Sequence, residues 1–194
     1  MRITPALLLA AALGLTALGG WQLGQGLYMD AKAELAQTLL ENAWDETKQT
    51  GKPVKAWEWA DTWPVARVTA PRVKGTAIVL AGASGEALAF GPGHLSNSAE
   101  PGAHGTSVIA AHRDTHFEFL KHVEIGDAVE LEAQDGESHT YIVDEMKVVR
   151  ADASGIDPRE PGKRLALVTC FPFNTTEQGP LRYVVFATAE EDLI

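Results

Sequence analysis

The feature that most constrains the fold is a series of short runs of β-branched and apolar residues that begins after Pro64. Glycine, proline, asparagine and aspartate separate these runs, and such residues favour turns. Because no long helical pattern lies between the runs, they predict β-strands that pair into a closed or nearly closed antiparallel barrel. The runs are residues 65–69, 76–80, 106–112, 128–132, 140–150, 164–170 and 181–188. Residues 85–90 and 117–122 could each add one helical turn.

The N-terminal segment has the composition of a membrane-targeting sequence. No charged residue lies between Arg2 and Asp30, and residues 6–18 are almost entirely apolar. The small residues that follow also fit a cleaved signal peptide, whereas continuing the segment to residue 28 gives enough length to cross a bilayer. We expect residues 1–28 to be a retained single-pass membrane anchor. The charge of Arg2 then puts the rest of the chain on the extracytoplasmic, periplasmic side.

Residues 29–62 predict a juxtamembrane amphipathic helix followed by a Trp-rich linker. Apolar residues recur at helical spacing from Leu35 to Trp44, and Gly51 then ends the pattern. Residues 63–194, which contain all the β-rich runs, are predicted to form one β-barrel domain.

The composition also bounds the class of partner. Apolar residues make up 45% of the chain, which is ample for a core. The formal net charge of -10 disfavours nucleic acid, since phosphate binding needs clustered lysine and arginine. We therefore expect no nucleic-acid partner.

Cys170 is the only cysteine of the chain, which excludes a disulfide within it. A lone cysteine serves as a small buried hydrophobic residue, as half of an intermolecular disulfide or as a reactive thiolate. Cys170 ends the apolar run of residues 164–170, and Pro172 stops the strand soon afterwards. This position at a strand end favours the thiolate.

Two residues in other runs could act with such a thiolate. His112 ends the run of residues 106–112, where an imidazole can exchange protons. Arg182 lies at the start of the last run and could donate hydrogen bonds to a carbonyl oxygen that becomes an oxyanion. If the strands of Cys170 and Arg182 are antiparallel neighbours, both side chains lie at one end of the barrel.

Metal binding is not expected, and neither is a cofactor. His112 and His116 have the spacing of a helical zinc motif, but Arg113 occupies the position where that motif has glutamate. The acidic residues around Glu130 and Glu132 form no recognisable calcium-ligand pattern and are interpreted as a solvated strand edge.

Three of these segments resemble the sortase family of cysteine transpeptidases. Leu167-Val168-Thr169-Cys170 resembles the family's Leu-x-Thr-Cys signature. The stretch around His112 resembles the segment of its catalytic histidine, and Leu181-Arg182-Tyr183 resembles the segment of its active-site arginine. The three occur in the family's order, and the likeness covers roughly residues 63–188.

Other positions refine this resemblance. The stretch that contains His94 is similar to a Gly-His stretch of sortases, whereas Ala111 stands where many sortases have glycine. Residues 171–173 together with Gly179-Pro180 resemble sortases of Gram-negative bacteria.

The resemblance implies a mostly β fold, a closed barrel of about eight antiparallel or mixed strands with short helices. It implies that Cys170, His112 and Arg182 are catalytic. Thr169 and His94 are the candidates for substrate binding, of which His94 ranks second and is expected to be structural.

The implied reaction has two stages. Cys170 attacks a Thr-Gly-type bond in a C-terminal, LPxTG-like sorting signal and forms a thioacyl-enzyme, which an amine then resolves. The implied partners are a secreted protein or peptide with that signal, an amine acceptor, and the membrane through the N-terminal anchor.

Two other functions stay open from the residues. If water resolves the thioacyl-enzyme, the chain is a cysteine peptidase; adding candidate amines distinguishes the two. If Cys170 is buried and inert, the chain is a non-catalytic anchored β-barrel binding module. That function predicts slow alkylation of Cys170 and a functional Cys170→Ala variant.

Overall fold

The structure, a computed structural model, describes residues 5–175, 177 and 179–193. The chain divides into two compact units, Met1–Thr38 and Leu39–Ile194. Helix α1 (Pro5–Thr50) begins in the first unit and ends in the second, so its residues 39–50 belong to the unit that contains the β-strands. The predicted amphipathic helix is therefore the last part of one longer helix.

The N-terminal part of α1 contains the predicted membrane-targeting segment. Among the described residues, no helix is both long enough and apolar enough to cross a membrane. The retained anchor predicted for residues 1–28 stays a prediction, and residues 1–4 of it lie outside the described part of the chain.

In the second unit, the described residues form eight strands that close into a barrel. They are β1 (Pro64–Ala70), β2 (Gly75–Ala81), β3 (Gly93–His94), β4 (Gly105–Ala111), β5 (Ala128–Ala133), β6 (Ser138–Arg150), β7 (Lys163–Cys170) and β8 (Leu181–Ala189). A short helix, α2 (Gly85–Phe90), and 3-10 turns at Pro71–Val73, Glu118–His122 and Glu190–Asp192 complete the unit. The order around the barrel is β1-β2-β3-β4-β7-β8-β6-β5, which confirms the expected closed barrel.

The barrel is mixed rather than purely antiparallel. β2 pairs with β3 and β4 pairs with β7 in parallel, whereas the remaining pairs are antiparallel. The apolar runs alone predicted an antiparallel barrel, because they locate strands but not their partners. β3 was missed, since a strand of two residues leaves no recognisable run.

The core inside the barrel follows from the alternation of side chains along each strand. In β1 every second residue is buried, from Pro64 to Ala70. The inner positions of neighbouring strands pack into one cluster, which includes Val68, Val79, Ile109, Leu131, Val143, Leu165, Leu167 and Val185. β7 is buried on both faces at Leu165, Ala166 and Leu167, which makes it a central strand.

The C-terminal part of α1 packs against the outside of the barrel. Trp44 is fully buried and clusters with Leu40, Ile78 and Leu80. Its Nε1 donates a hydrogen bond to Oε2 of Glu132 at 3.3 Å. Burial of the indole, together with a satisfied N–H, is an effective way to fasten a helix to a sheet.

Charged side chains surround this contact. Lys48 Nζ lies 2.9 Å from Oε1 of Glu132, and Arg67 Nε lies 3.9 Å from Oε2 of the same carboxylate. Arg67 also pairs with Glu41 of α1. The interpretation of Glu132 as part of a solvated strand edge was therefore wrong, because its carboxylate joins α1 to β1 and β5.

We expect Trp44→Ala to lower the free energy of unfolding by about 3–5 kcal/mol, since it leaves a cavity under α1. Urea unfolding followed by circular dichroism measures this change. Trp59→Ala is the matched control, because Trp59 is 81% exposed and its loss should change stability by less than about 0.5 kcal/mol. Equal losses in the two variants would contradict the role of Trp44.

Candidate active site

The antiparallel pairing of β7 with β8 places Cys170 directly opposite Arg182. Residues opposite each other in such a pair project to the same face of the sheet, with Cβ atoms about 4.5–5.5 Å apart. The last residue of β7 and the second residue of β8 therefore meet at one end of the barrel, as the sequence predicted for antiparallel neighbours.

The parallel pairing of β4 with β7 brings His112 to the same end. Ala111, the last residue of β4, is in register with Thr169 of β7. The next residues along the chain are His112 and Cys170, so they lie side by side at this end of the sheet. This parallel pair joins segments 58 residues apart in the chain.

Side-chain alternation places these residues on the outer face of the barrel. Leu165 and Leu167 of β7 point into the core, whereas Ala166 belongs to a cluster on the other face. By the same alternation, Cys170 and Arg182 lie on the outer face. His112 follows Ala111, an inner residue, and continues the outer face of β4.

Accessibility differs among the three candidates. His112 is exposed, whereas Cys170 and Arg182 are partly buried. The Nη1 of Arg182 donates to the carbonyl oxygens of Gly179 at 2.9 Å and Leu181 at 2.8 Å. These bonds fix the guanidinium, whose other donors are on Nε and Nη2.

Thr169 stabilises the junction between the two strands. Its side chain is 2% exposed, and its hydroxyl donates a hydrogen bond to the carbonyl oxygen of Ala111 at 2.8 Å. This bond holds the residue before His112 against the residue before Cys170.

His94 lies away from the three candidates, in the register position opposite Ile109. It is 3% exposed, and its Nε2 lies 2.9 Å from the carbonyl oxygen of Ala99 and 3.2 Å from Oγ of Ser98. These contacts hold the loop after β3.

His116 lies close to His112 because the intervening turn folds back. The backbone N–H of Phe117 donates to the carbonyl oxygen of His112 at 3.1 Å. Burial, and to a lesser degree the neighbouring His112, lowers the pKa of the His116 imidazole. His116 is thus held in its neutral form near neutral pH, which limits charge repulsion against an imidazolium at His112.

Aromatic residues adjoin Cys170 on its C-terminal side. The rings of Phe173 and Tyr183 meet edge to face, with centroids 5.3 Å apart, and Phe171 stacks on Tyr183 at 6.4 Å. Burial raises the pKa of the Tyr183 phenol. This cluster gives the start of the loop between β7 and β8 a packed, apolar base.

A cavity of about 900 Å³ lies elsewhere, at the opposite ends of β4 and β7. Gly105 and residues 157–162 line part of it. Within the described residues, no group of three or more histidine, cysteine, aspartate or glutamate side chains is placed to hold a metal ion. The zinc-like spacing of His112 and His116 therefore has no further ligands around it in the described part of the chain.

Comparison with known proteins assigns the family. The family model described as the sortase domain matches residues 68–190, which is more than half of the chain. This chain belongs to the sortase family. The match contains the segments of His112, Cys170 and Arg182, and it confirms the family predicted from them.

A curated relative and several solved structures agree with this assignment. Sortase D of Bacillus subtilis (strain 168) is 27% identical over 202 residues, covering 95% of this chain and 96% of that protein. The structure of Streptococcus agalactiae sortase C1 in complex with MTSET aligns with a TM-score of 0.59 at 26% identity, covering 65% of this chain and 69% of that one. A Clostridium perfringens Sortase D5 transpeptidase shares the fold, with a TM-score of 0.64 at 20% identity over 80% of this chain and 98% of that one.

These likenesses make the protein a sortase-type cysteine transpeptidase. The Gram-negative branch suggested by residues 171–173 stays a prediction. The sequence reasoning on this sortase missed one residue near the site, Arg113, which is buried and bound to the loop after Cys170. Its position next to His112 was visible, but its contacts depend on a loop more than 60 residues away in the chain.

Proposed function

We propose that this sortase uses Cys170, His112 and Arg182 to cleave a C-terminal, LPxTG-like sorting signal and to transfer the acyl group to an amine. The observation that carries the proposal is the register of three neighbouring strands. Cys170 is opposite Arg182, and Ala111 is opposite Thr169, so the three groups lie at one end of one face.

The first stage forms the acyl-enzyme. The thiolate of Cys170 attacks the carbonyl carbon of the scissile bond, and the carbonyl oxygen becomes an oxyanion. Donors on Nε and Nη2 of Arg182 stabilise this oxyanion, while its Nη1 holds the guanidinium on the carbonyl oxygens of Gly179 and Leu181. The imidazolium of His112 gives its proton to the leaving amine as the carbon–nitrogen bond breaks.

The second stage releases the product. Neutral His112 removes a proton from the incoming amine, which attacks the thioester carbonyl. A new amide forms, the Cys170 thiolate leaves, and His112 is again an imidazolium. The exposure of His112 suits this exchange of protons with an external amine.

The supporting residues have separate roles in this proposal. Thr169 keeps the ends of β4 and β7 together through its hydrogen bond to Ala111. His94 holds the loop after β3 and does not contact the substrate, because its Nε2 already lies against Ser98 and Ala99.

Val168 is the apolar side chain on the outer face that a sorting signal would meet next to Cys170. It packs at the edge of a buried apolar cluster formed by Val108, Ala166, Val184 and Phe186. Val168 lies two residues before Cys170 on the same side of β7 and is only partly buried. An extended peptide that reaches the sulfur along β7 would contact this side chain.

We also propose that the enzyme acts outside the cytoplasm and is held at the membrane by the N-terminal part of α1. Large apolar side chains there are between 63% and 72% exposed: Leu9, Leu13, Leu15, Leu18, Trp21, Leu23 and Leu27. Such side chains bind strongly to lipid when they are free of protein contacts. The proposal requires attachment only, so it is compatible with the absence of a crossing helix in the described residues.

Incubation of the purified chain with LPxTG-like peptides tests the reaction. We expect intact-mass spectrometry to show a thioester adduct on Cys170, and added primary amines to give a peptide–amine product. Cys170→Ala should abolish both, and His112→Ala or Arg182→Ala should slow adduct formation by about a hundredfold or more. His122→Ala is a matched control, since His122 is exposed and has no role in the proposed reaction.

Three results would contradict the proposal. An unmodified Cys170 across a varied peptide set would reject the thioacyl step. Exclusive formation of hydrolysed peptide in the presence of amines would assign a peptidase instead. A Cys170→Ala variant that still joins peptide to amine would place the nucleophile elsewhere.

Fractionation of cells that express the full chain tests the location. We expect the protein in the membrane fraction, with the barrel open to protease added outside the inner membrane. A chain that begins at residue 39 should leave that fraction if residues 1–38 provide the attachment. Recovery of the full chain in the soluble cytoplasmic fraction would contradict this part of the proposal.

A further inference from the structure

Arg113 is a buried arginine directly after the candidate catalytic histidine. Its side chain is 8% exposed, although arginine is rarely buried to this extent without a partner. Its Nη2 donates hydrogen bonds to two backbone carbonyl oxygens, those of Thr175 at 2.5 Å and Glu177 at 2.8 Å. The partners are thus main-chain atoms of a loop and not carboxylates.

The loop in question, residues 171–180, connects the other two candidate catalytic residues. It begins after Cys170 at the end of β7 and ends before Arg182 in β8. Its base is closed by the Phe171 N–H, which donates to the carbonyl oxygen of Leu181 at 3.1 Å. At its other end Pro180 accepts a hydrogen bond from the Ala151 N–H at 2.8 Å. Between these ends, side chains bind the described loop residues: Arg113 and Arg182 donate to their carbonyl oxygens, and the ring of Phe173 contacts that of Tyr183.

Two guanidinium groups provide such contacts from different sides. Arg182 donates to the carbonyl oxygen of Gly179 from β8, and Arg113 donates to those of Thr175 and Glu177 from the segment after β4. The loop is therefore held between the strand that bears the proposed oxyanion donor and the segment that bears the proposed acid and base. Of these two guanidinium groups, only that of Arg113 links the loop to the segment that contains His112.

The energetics of Arg113 point to a role beyond stability. Burial of a guanidinium carries a large desolvation penalty, which a carboxylate partner normally reduces. Among the described residues, Arg113 forms no ion pair, and its buried Nη1 has no hydrogen-bond partner. An apolar side chain in this space would avoid that desolvation penalty. A buried arginine that is less favourable for stability than an apolar residue is expected mainly at functional sites.

We propose that Arg113 is a positioning residue for the transfer reaction. Its two hydrogen bonds fix the loop of residues 171–180 and thereby set the position of Arg182 relative to Cys170 and His112. The inference rests on the proposed function for its kinetic consequence, whereas its structural consequence can be measured without any substrate.

Hydrogen–deuterium exchange gives the structural measurement. Arg113→Met removes the donors and keeps a long side chain, so we expect amides of the loop to exchange at least about tenfold faster, given two lost hydrogen bonds from a charged group. Arg113→Lys restores a cation with several donors and should recover part of the protection. Amides of β4 and β7 should keep their wild-type exchange in both variants.

Arg67→Met is the matched control. Arg67 is a partly buried arginine that pairs with Glu41 and Glu132 on the far side of the barrel. Its loss should leave exchange in residues 171–180 unchanged. Faster loop exchange in this control as well would mean that the loop responds to general destabilisation, which would overturn the proposal.

The rate of acylation of Cys170 gives the functional measurement. At saturating sorting peptide, we expect Arg113→Met to acylate at least about tenfold more slowly than wild type and Arg113→Lys to be intermediate. The peptide KM should change less than the rate, because the loop positions the reacting groups. A fall in affinity alone, at an unchanged rate, would overturn the positioning role.

The two measurements also separate failure of this inference from failure of the proposed function. Unchanged loop exchange in Arg113→Met overturns the inference even when the wild-type enzyme is fully active. If no sorting peptide acylates the wild type, the proposed substrate is wrong. The positioning role is then tested by comparing the alkylation rate of Cys170 in Arg113→Met with the rate in the wild type. If Cys170 is alkylated at the same rate in both proteins although the loop exchanges faster in Arg113→Met, the positioning role is overturned.

Discussion

The parallel pairing of β4 with β7 is the interaction on which the rest of the structure depends. Seven register pairs run from Gly105 opposite Lys163 to Ala111 opposite Thr169. Because side chains alternate with a period of two, a slip of one residue would turn Cys170 toward the barrel core and Thr169 outward. The hydrogen bond from the buried Thr169 hydroxyl to the carbonyl oxygen of Ala111 opposes such a slip, since it is lost when Thr169 turns outward.

The outside of the barrel packs against α1 on one side and bears Cys170 on the other. On one side, Trp44 and the carboxylate of Glu132 fasten the end of α1, which contributes stability far from the sulfur. On the other side, loops cover the apolar cluster around Ala166 and leave Cys170 partly exposed. This division allows the reactive face to stay open to a peptide while the opposite face is sealed by a helix.

The sequence revealed the strands and the candidate residues much better than their pairing. Runs such as residues 164–170 are recognisable because a central strand must be apolar on both faces. The parallel neighbour of that strand is set by contacts between distant segments, which leave no local signal. The same is true of Arg113, whose partners Thr175 and Glu177 meet it only in the folded chain. Glu132 was misread for this reason too, because its cations come from α1 and β1.

Disulfide trapping tests most directly that the strand register brings sulfur and imidazole together. Neighbouring strands lie about 4.8 Å apart, so a cysteine in place of His112 would have its Cα within the range of about 4.4–6.8 Å that a disulfide to Cys170 requires. A cysteine in place of Ala110, two residues back on the same face, would be about 8 Å away and out of range. After mild oxidation, we expect intact mass and thiol alkylation to show an intramolecular disulfide in His112→Cys and two free thiols in Ala110→Cys. Two free thiols in His112→Cys would contradict it.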